Sequence, residues 1–247
     1  MIEQQLTGAT VHFQPIIDLV AWRVCGVEAL ARFTDSRSPL DHLAQARAEG
    51  AELEFEIALL ALAQELAADL PSGLLLSLNM SAATALHPDV EVLLAKIDSH
   101  QVGMEILETS PRFAEATRLR ERADSLGALL LIDDAGIGNS DEVRIRYVRP
   151  DIVKIDRGLF AATDAKAQAR VASLLCEARA VGAKVLVEGI ETLEQLDRAR
   201  ALGCDMVQGY FFGPACELGG LAERLREIAG RTGVALPEPG TNADAGA

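Results

Sequence analysis

The sequence predicts an α/β fold, a TIM-like (β/α)8 barrel whose first strand runs antiparallel to its neighbours. Three observations lead there. Short apolar runs alternate with helical stretches, and repeated strand–helix units build a parallel sheet. Eight such runs fit within about 220 residues, a length that suits a closed barrel. Only Val20 to Arg23 separate the first two runs. A parallel crossover needs about a dozen residues, so that pair must be antiparallel. A doubly wound open sheet is the alternative arrangement of the same pattern. No internal repeat or linker divides the chain. The barrel is therefore expected over residues 1–232, with 233–247, rich in turn-formers and poor in groups to bury, as a disordered tail.

The elements follow in order. Residues 11–19 and 24–31 read as the antiparallel pair. Residues 41–69 read as helix broken at Glu49-Gly50, and Pro71 and Gly73 end it. Leu74 to Leu78 is a strand leading to Asn79, and a helix over 82–97 restarts at His87-Pro88. Met104 to Leu107 carries Glu105 and leads to Glu108, and a helix over 112–126 stops at Gly127. Leu129 to Ile132, an apolar run without helical period, reads as a buried strand that drives into Asp133-Asp134. A short helix over 140–147 precedes the strand Asp151 to Ile155, which ends beside Lys154 and Asp156. Then come a helix over 164–181, the strand Lys184 to Val187 before Glu188, a helix over 191–202, the strand Met206 to Tyr210 holding Gln208, and a helix over 217–229.

Composition narrows the function. The 247 residues are 49% hydrophobic but 4% aromatic, so the core is mostly aliphatic. A net charge of −14 argues against binding a DNA or RNA polymer or an anionic membrane. It leaves room for a phosphorylated ligand, because charge more than about 8 Å away is screened in physiological salt. The first residues lack a basic run followed by an apolar block, and no stretch approaches the roughly 18 apolar residues of a spanning helix. A soluble, cytoplasmic protein without membrane insertion is expected. Cys25, Cys176, Cys204 and Cys216 form no CxxC pair and read as buried free thiols in a reducing compartment.

The strand ends carry the chemistry. Glu28, Asn79, Glu105 and Glu108, Asp133 and Asp134, Lys154 and Asp156, Glu188 and Gln208 stand at or just beyond them. In a parallel barrel these ends converge on one face, where active sites lie. A polar residue at one strand end is ordinarily a loop residue or half of an ion pair; seven strands in succession are harder to explain so. Desolvating a carboxylate costs several kcal/mol unless a partner or metal compensates, and adjacent carboxylates repel. All-oxygen donors suit a hard cation such as Mg²⁺ or Mn²⁺ rather than Zn²⁺, and the four histidines show no ligand spacing. So many acids exceed what one octahedral ion uses. Two ions about 3.5–4 Å apart, the arrangement that supports phosphodiester hydrolysis, fit better. Lys154 and Asp156 are two residues apart and are expected on one side of their strand. Lys154 reads as a counter-charge, as a group that orients a nucleophilic water, or, least economically, as a Schiff-base lysine. The glycines of 133–140 lack the third glycine of a dinucleotide fingerprint.

These residues resemble the EAL domain, the bacterial family of cyclic di-GMP phosphodiesterases. Gln14-Pro15-Ile16, Glu28-Ala29-Leu30 and Arg32 are similar to its opening, Asn79-Met80-Ser81 to its Asn-x-Ser, and 105–110 to its Glu-x-x-Glu-(Thr/Ser)-Ser. Asp133-Asp134, Lys154-Ile155-Asp156, Glu188-Gly189-Ile190-Glu191 and 208–212 with Pro214 continue the match in order. The resemblance implies a barrel with one antiparallel strand and metal-dependent cleavage of cyclic di-GMP to linear pGpG. It implies metal ligation by Glu28, Asn79, Glu105 and Asp133, with Asp134 and Glu188 serving a second Mg²⁺ or Mn²⁺. It implies Lys154, with Asp156, holding the attacking water, and Gln208 in the same site. Gln14 and Arg32 would contact ligand, and Glu108 would brace the loop after Asp133. The family's loop runs Asp-Phe-Gly-Thr-Gly-Tyr-Ser-Ser; here residues 134–141 read Asp-Ala-Gly-Ile-Gly-Asn-Ser-Asp. The glycines survive, but Ala135, Ile137 and Asn139 replace the phenylalanine, threonine and tyrosine. That departure sets a second expectation beside the enzyme: a non-catalytic cyclic di-GMP receptor or protein-interaction module. A homodimer or a regulatory protein partner is compatible with either.

Overall fold

The computed structural model describes residues 6–35, 37–97, 100–106, 113–137 and 141–237. Strands β1 (Ala9–Asp18) and β2 (Arg23–Phe33) form the expected antiparallel hairpin. Helices α1 (Pro39–Ala48) and α2 (Glu52–Ala67) follow, broken at Glu49 and Gly50 as the sequence predicts. Next come β3 (Leu75–Met80), the short helices α3 (Ala82–Ala85) and α4 (Pro88–Leu94), and β4 (Gln101–Ile106). The chain continues through α5 (Phe113–Leu126), β5 (Leu129–Ala135), α6 (Asp141–Val148), β6 (Ile152–Ile155), α7 (Arg157–Ala161) and α8 (Ala165–Val181). It ends with β7 (Lys184–Val187), α9 (Leu193–Ala201), β8 (Met206–Val207), β9 (Cys216–Glu217) and α10 (Leu218–Thr232). Among the described residues no helix is long and apolar enough to cross a membrane.

Strands β2 to β8 pair in sequence order and in parallel. Strand β1 closes the barrel, antiparallel to β2 on one side and to β8 on the other. The period-2 alternation of the strands sorts the interior into layers. Ile16, Leu75, Leu131, Ile152, Leu186 and Met206 form an apolar plug inside the barrel, separate from the larger core between sheet and helices. On the parallel strands the residue two positions later is polar: Ser77, Asp133, Lys154, Glu188 and Gln208. On β1 the order is reversed, with Gln14 preceding Ile16, as an antiparallel strand requires. Gly26 and Gly103 occupy the plug positions of β2 and β4. A Cβ on Gly26 would lie 2.6 Å from the Leu75 carbonyl oxygen, and one on Gly103 2.9 Å from Leu131 Cδ1. These glycines admit the leucines, and Glu28 and Glu105 follow them two residues on.

Several boundaries differ from the sequence reading. Strand β8 stops at Val207, so Gln208 stands just past its end, and α7 and β9 are additional short elements. The expected tail does not begin at 233. Val234 is buried, and Ala235 exchanges backbone hydrogen bonds with Trp22 and Val24. Residues 238–247 lie outside the described part. All four thiols are free, but Cys204 alone is buried and Cys176 is exposed, because α8 turns Cys176 outward.

Candidate active site

The polar layer above the plug converges on Lys154. The side chain is 1% exposed, and its Nζ lies 2.5 Å from Glu105 Oε1, 2.7 Å from Glu188 Oε1, 3.1 Å from Asp133 Oδ1 and 3.5 Å from Glu28 Oε2. Burial alone would lower the pKa of this ammonium. The surrounding carboxylates reverse that and hold it well above the ordinary lysine value. A Schiff-base nucleophile needs a neutral amine, which this acidic surrounding disfavours. The acids shift the other way. Burial, then the charge of Glu28, pushes Glu105 well above the usual carboxylate range, although Lys154 opposes it. Burial likewise raises Glu188 to about 7, with Lys154 opposing and Asp133 and Glu28 adding to it.

Hydrogen bonds orient the acids. Ser77 Oγ donates to Glu105 Oε2 at 2.7 Å. Asn79 Nδ2 donates to Glu28 Oε1 at 2.9 Å. Gln208 Nε2 donates to Glu28 Oε2 at 2.7 Å and to Gln14 Oε1 at 2.8 Å. Glu28, Asn79, Glu105, Asp133, Lys154, Glu188 and Gln208 are thus brought into one cluster, as the strand-end pattern predicts, and Gln14, named only by the family resemblance, joins them through Gln208. Ser77 is an addition. It lies two residues before Asn79, and strand alternation alone places both on the inner face.

Asp134 reaches the site by a different device. On an unbroken strand, adjacent Asp133 and Asp134 would face opposite sides. The β5–β6 register instead slips between Ile132 and Ala135, a bulge that holds both acids. Asp134 adopts φ 51° within it, a left-handed conformation that aspartate tolerates better than most residues. One carboxylate oxygen from each of Asp133, Asp134 and Glu188 consequently falls within 4.8 Å of the others, close enough to share a cation.

Two cavities flank the cluster. The larger, about 330 Å³, runs from Asn79, Asp133 and Asp134 past Arg32 to an apolar wall that includes Leu40 and Leu43. The smaller, about 240 Å³, is lined by Gln14, Glu188, Gln208, Tyr210 and Arg157, the last of which sequence reasoning missed. Glu28 and Leu30 border both. Arg32 turns one guanidinium nitrogen to the Ala31 carbonyl, 2.8 Å away.

Asp156 follows Lys154 by two residues and also serves the backbone. Strand β6 ends at Ile155, and Asp156 is the N-cap of α7, its Oδ1 accepting from Leu159 N–H at 2.7 Å. Its own N–H still donates to the Ala135 carbonyl oxygen at 3.1 Å, one step past the strand. Glu108 and Asn139 lie outside the described residues. In the rewritten loop, Ala135 is fully buried and Ile137 is 57% exposed.

Comparison with known proteins places this arrangement. The sequence matches the EAL domain over residues 2–215. The probable cyclic di-GMP phosphodiesterase PdeN of Escherichia coli is 28% identical over 226 residues, covering 81% of this chain and 42% of that protein. The chain thus spans less than half the length of this curated relative. Among solved structures, BlrP1 of Klebsiella pneumoniae, in a manganese and cyclic di-GMP complex, superposes with a TM-score of 0.73 at 28% identity, covering 85% of this chain and 56% of that one. An EAL domain protein from Listeria monocytogenes has the same fold, with a TM-score of 0.75 at 24% identity and 95% of both chains covered. The closed barrel with its one antiparallel strand, the ordered motifs at the strand ends and the match over most of the chain agree: this protein belongs to the EAL domain family.

Proposed function

We propose that this chain is a metal-dependent phosphodiesterase that hydrolyses cyclic di-GMP to linear pGpG. The observation that carries the reading is the cluster around Lys154, in which oxygens of Asp133, Asp134 and Glu188 gather beside Glu28, Asn79 and Glu105. The donor set fits hard divalent cations: every ligand atom is oxygen, and burial and neighbouring negative charge push Glu105 and Glu188 above the usual carboxylate range, a cost to the ionised acids that a cation would relieve. Asp133, Asp134 and Glu188 would hold one Mg²⁺ or Mn²⁺, and Glu28, Asn79, Glu105 and Asp133 a second. Bound there, the ions would acidify a water and neutralise charge on the reacting phosphate.

The protein's own groups do the rest. Lys154 offers a fixed positive charge at the centre of the cluster and can hold a water by hydrogen bonding. Gln208 keeps Glu28 and Gln14 in register. Arg32, in the larger cavity, is positioned for a phosphate or a guanine edge, and Gln14, in the smaller, for a base. Cavities on both sides of the acids suit a ligand with two nucleoside arms and its scissile bond between them. The PdeN and BlrP1 likenesses support the same substrate.

The test is incubation of the purified protein with cyclic di-GMP and Mn²⁺ or Mg²⁺, with products separated by chromatography and Glu28→Ala alongside. Formation of pGpG that disappears in the variant is the expected result. The rewritten loop favours a second reading, a receptor that binds cyclic di-GMP without cleaving it. Saturable binding with no product would replace the first reading by the second, and absence of binding would exclude both.

A further inference from the structure

We infer that Asp141, clamped by Arg170, is a positioning residue for the paired acids Asp133 and Asp134, acting beside Arg144, whose Nη1 donates to the Asp133 carbonyl oxygen at 3.3 Å. The inference rests on the metal-site reading above and adds to it a group outside the ligand set. The backbone here leaves the regular strand: Asp134 has φ 51°, uncommon for a residue with a side chain, and Gly136 follows with φ 122°. Such conformations persist where the surroundings over-determine them. Two residues past Asp134, the Gly136 N–H donates to Asp141 Oδ2 at 2.9 Å. The same oxygen accepts from Arg170 Nη2 of α8 at 2.7 Å. Arg170 Nη1 donates to Glu142, whose carboxylate also accepts from Ser173 Oγ at 2.9 Å. Asp141 is 4% exposed. A buried carboxylate that links a turn's amide to a guanidinium on another helix is a rigid connection, since both of its bonds are charge-assisted.

Its position matters as much as its geometry. The EAL pattern has serine at the position of Asp141, and a serine cannot form an ion pair with an arginine. In this chain the phenylalanine, threonine and tyrosine of that loop are gone, and an ion pair from α8 braces the same turn.

The test is titration of Mn²⁺ into the full chain without nucleotide, followed by the electron paramagnetic resonance of the free ion. Asp141→Ala removes both bonds and is expected to weaken Mn²⁺ binding by about tenfold or more, the usual effect of losing a group that orients ligands. Asp141→Asn keeps an acceptor for the Gly136 amide and should fall between Asp141→Ala and wild type, as should Arg170→Met. The control is Arg146→Met. It cuts the ion pair between Arg146 of α6 and Glu177 of α8, which ties the same two helices without touching the turn. Its Mn²⁺ affinity should equal that of wild type. Equal affinity in Asp141→Ala and wild type, or an equal loss in Arg146→Met, overturns the inference while the metal-site reading stands. A wild-type chain that takes up no Mn²⁺ overturns both. Should Asp141→Ala not fold, Asp141→Asn and Arg170→Met give the same comparison, and unchanged affinity in both refutes the clamp.

Discussion

Replacing Lys154 by methionine should destabilise the metal-free protein in a pH-dependent way. The ammonium is 1% exposed and lies within 3.5 Å of carboxylate oxygens of Glu28, Glu105, Asp133 and Glu188. Methionine fills much of the same volume but leaves the acids facing one another without a cation. Breaking a buried ion pair by removing one partner costs about 3–5 kcal/mol. For a chain of this size each kcal/mol lowers the Tm by about 2–4 °C, so a fall of roughly 6–20 °C is expected at pH 8 in chelator. The sign with pH follows from the acids. Glu188 titrates near 7 in the fold, above its ordinary value. Its protonated form therefore stabilises the fold fully at acidic pH, and that contribution is lost as pH rises through about 7. Without Lys154 the acids bind protons more tightly still, so the deficit should shrink at pH 5.5. Thermal melts followed by circular dichroism at the two pH values provide the measurement. A variant that melts within roughly 2 °C of wild type at pH 8, less than 1 kcal/mol at this scale, would refute the reasoning. So would a larger deficit at pH 5.5.

Three further outcomes follow from the site. Mn²⁺ affinity should fall by up to about tenfold per pH unit below pH 7, because Glu188, at about 7, must release a proton to bind; calorimetric titrations at pH 6 and 8 would detect this, and a flat profile would contradict it. Gly209→Ala should be among the most disruptive single changes, since a Cβ there would lie 2.2 Å from Ile190 N and 2.4 Å from its O, both backbone atoms beside Gln208; soluble yield and melting temperature would reveal it. Restoring the family's phenylalanine at Ala135, which is fully buried, should cost about 1–3 kcal/mol by overpacking, whereas Ile137→Thr on the exposed side should change stability by less than about 0.5 kcal/mol, as denaturant unfolding can test.

The fold was legible because barrel physics writes itself into local patterns. Apolar runs ending in polar residues, and a connection too short to be parallel, defined the barrel and its antiparallel strand. The same period-2 logic explains why most of the site was legible, since a polar residue two positions after an apolar plug residue must join the layer above. Where the backbone leaves the regular strand, that logic fails. Asp156 stands one step past its strand and also caps a helix, a role that period-2 logic does not encode. Asp134 joins the inner cluster only because a bulge breaks the parity that would have sent it outward. Arg170 carries no motif, and its link to the β5–α6 turn depends on how α8 packs beside α6, which no local pattern encodes.

Strand β1 has a consequence for the order in which this molecule can come into being. The barrel's first strand is the one that closes the ring, and its partners include β8 and β9, the last strands of the barrel. The hydrogen bond between Gln14 and Gln208 joins residues 194 positions apart. During synthesis the hairpin of β1 and β2 can form early, but it must wait for β8 before the ring shuts. Contacts this distant are among the slowest to form, because loop closure precedes any gain from them. A nascent or truncated chain therefore displays Glu28 without Gln208 beside it and holds half of a site. The competence of the pocket then reports that the barrel has been made through β8.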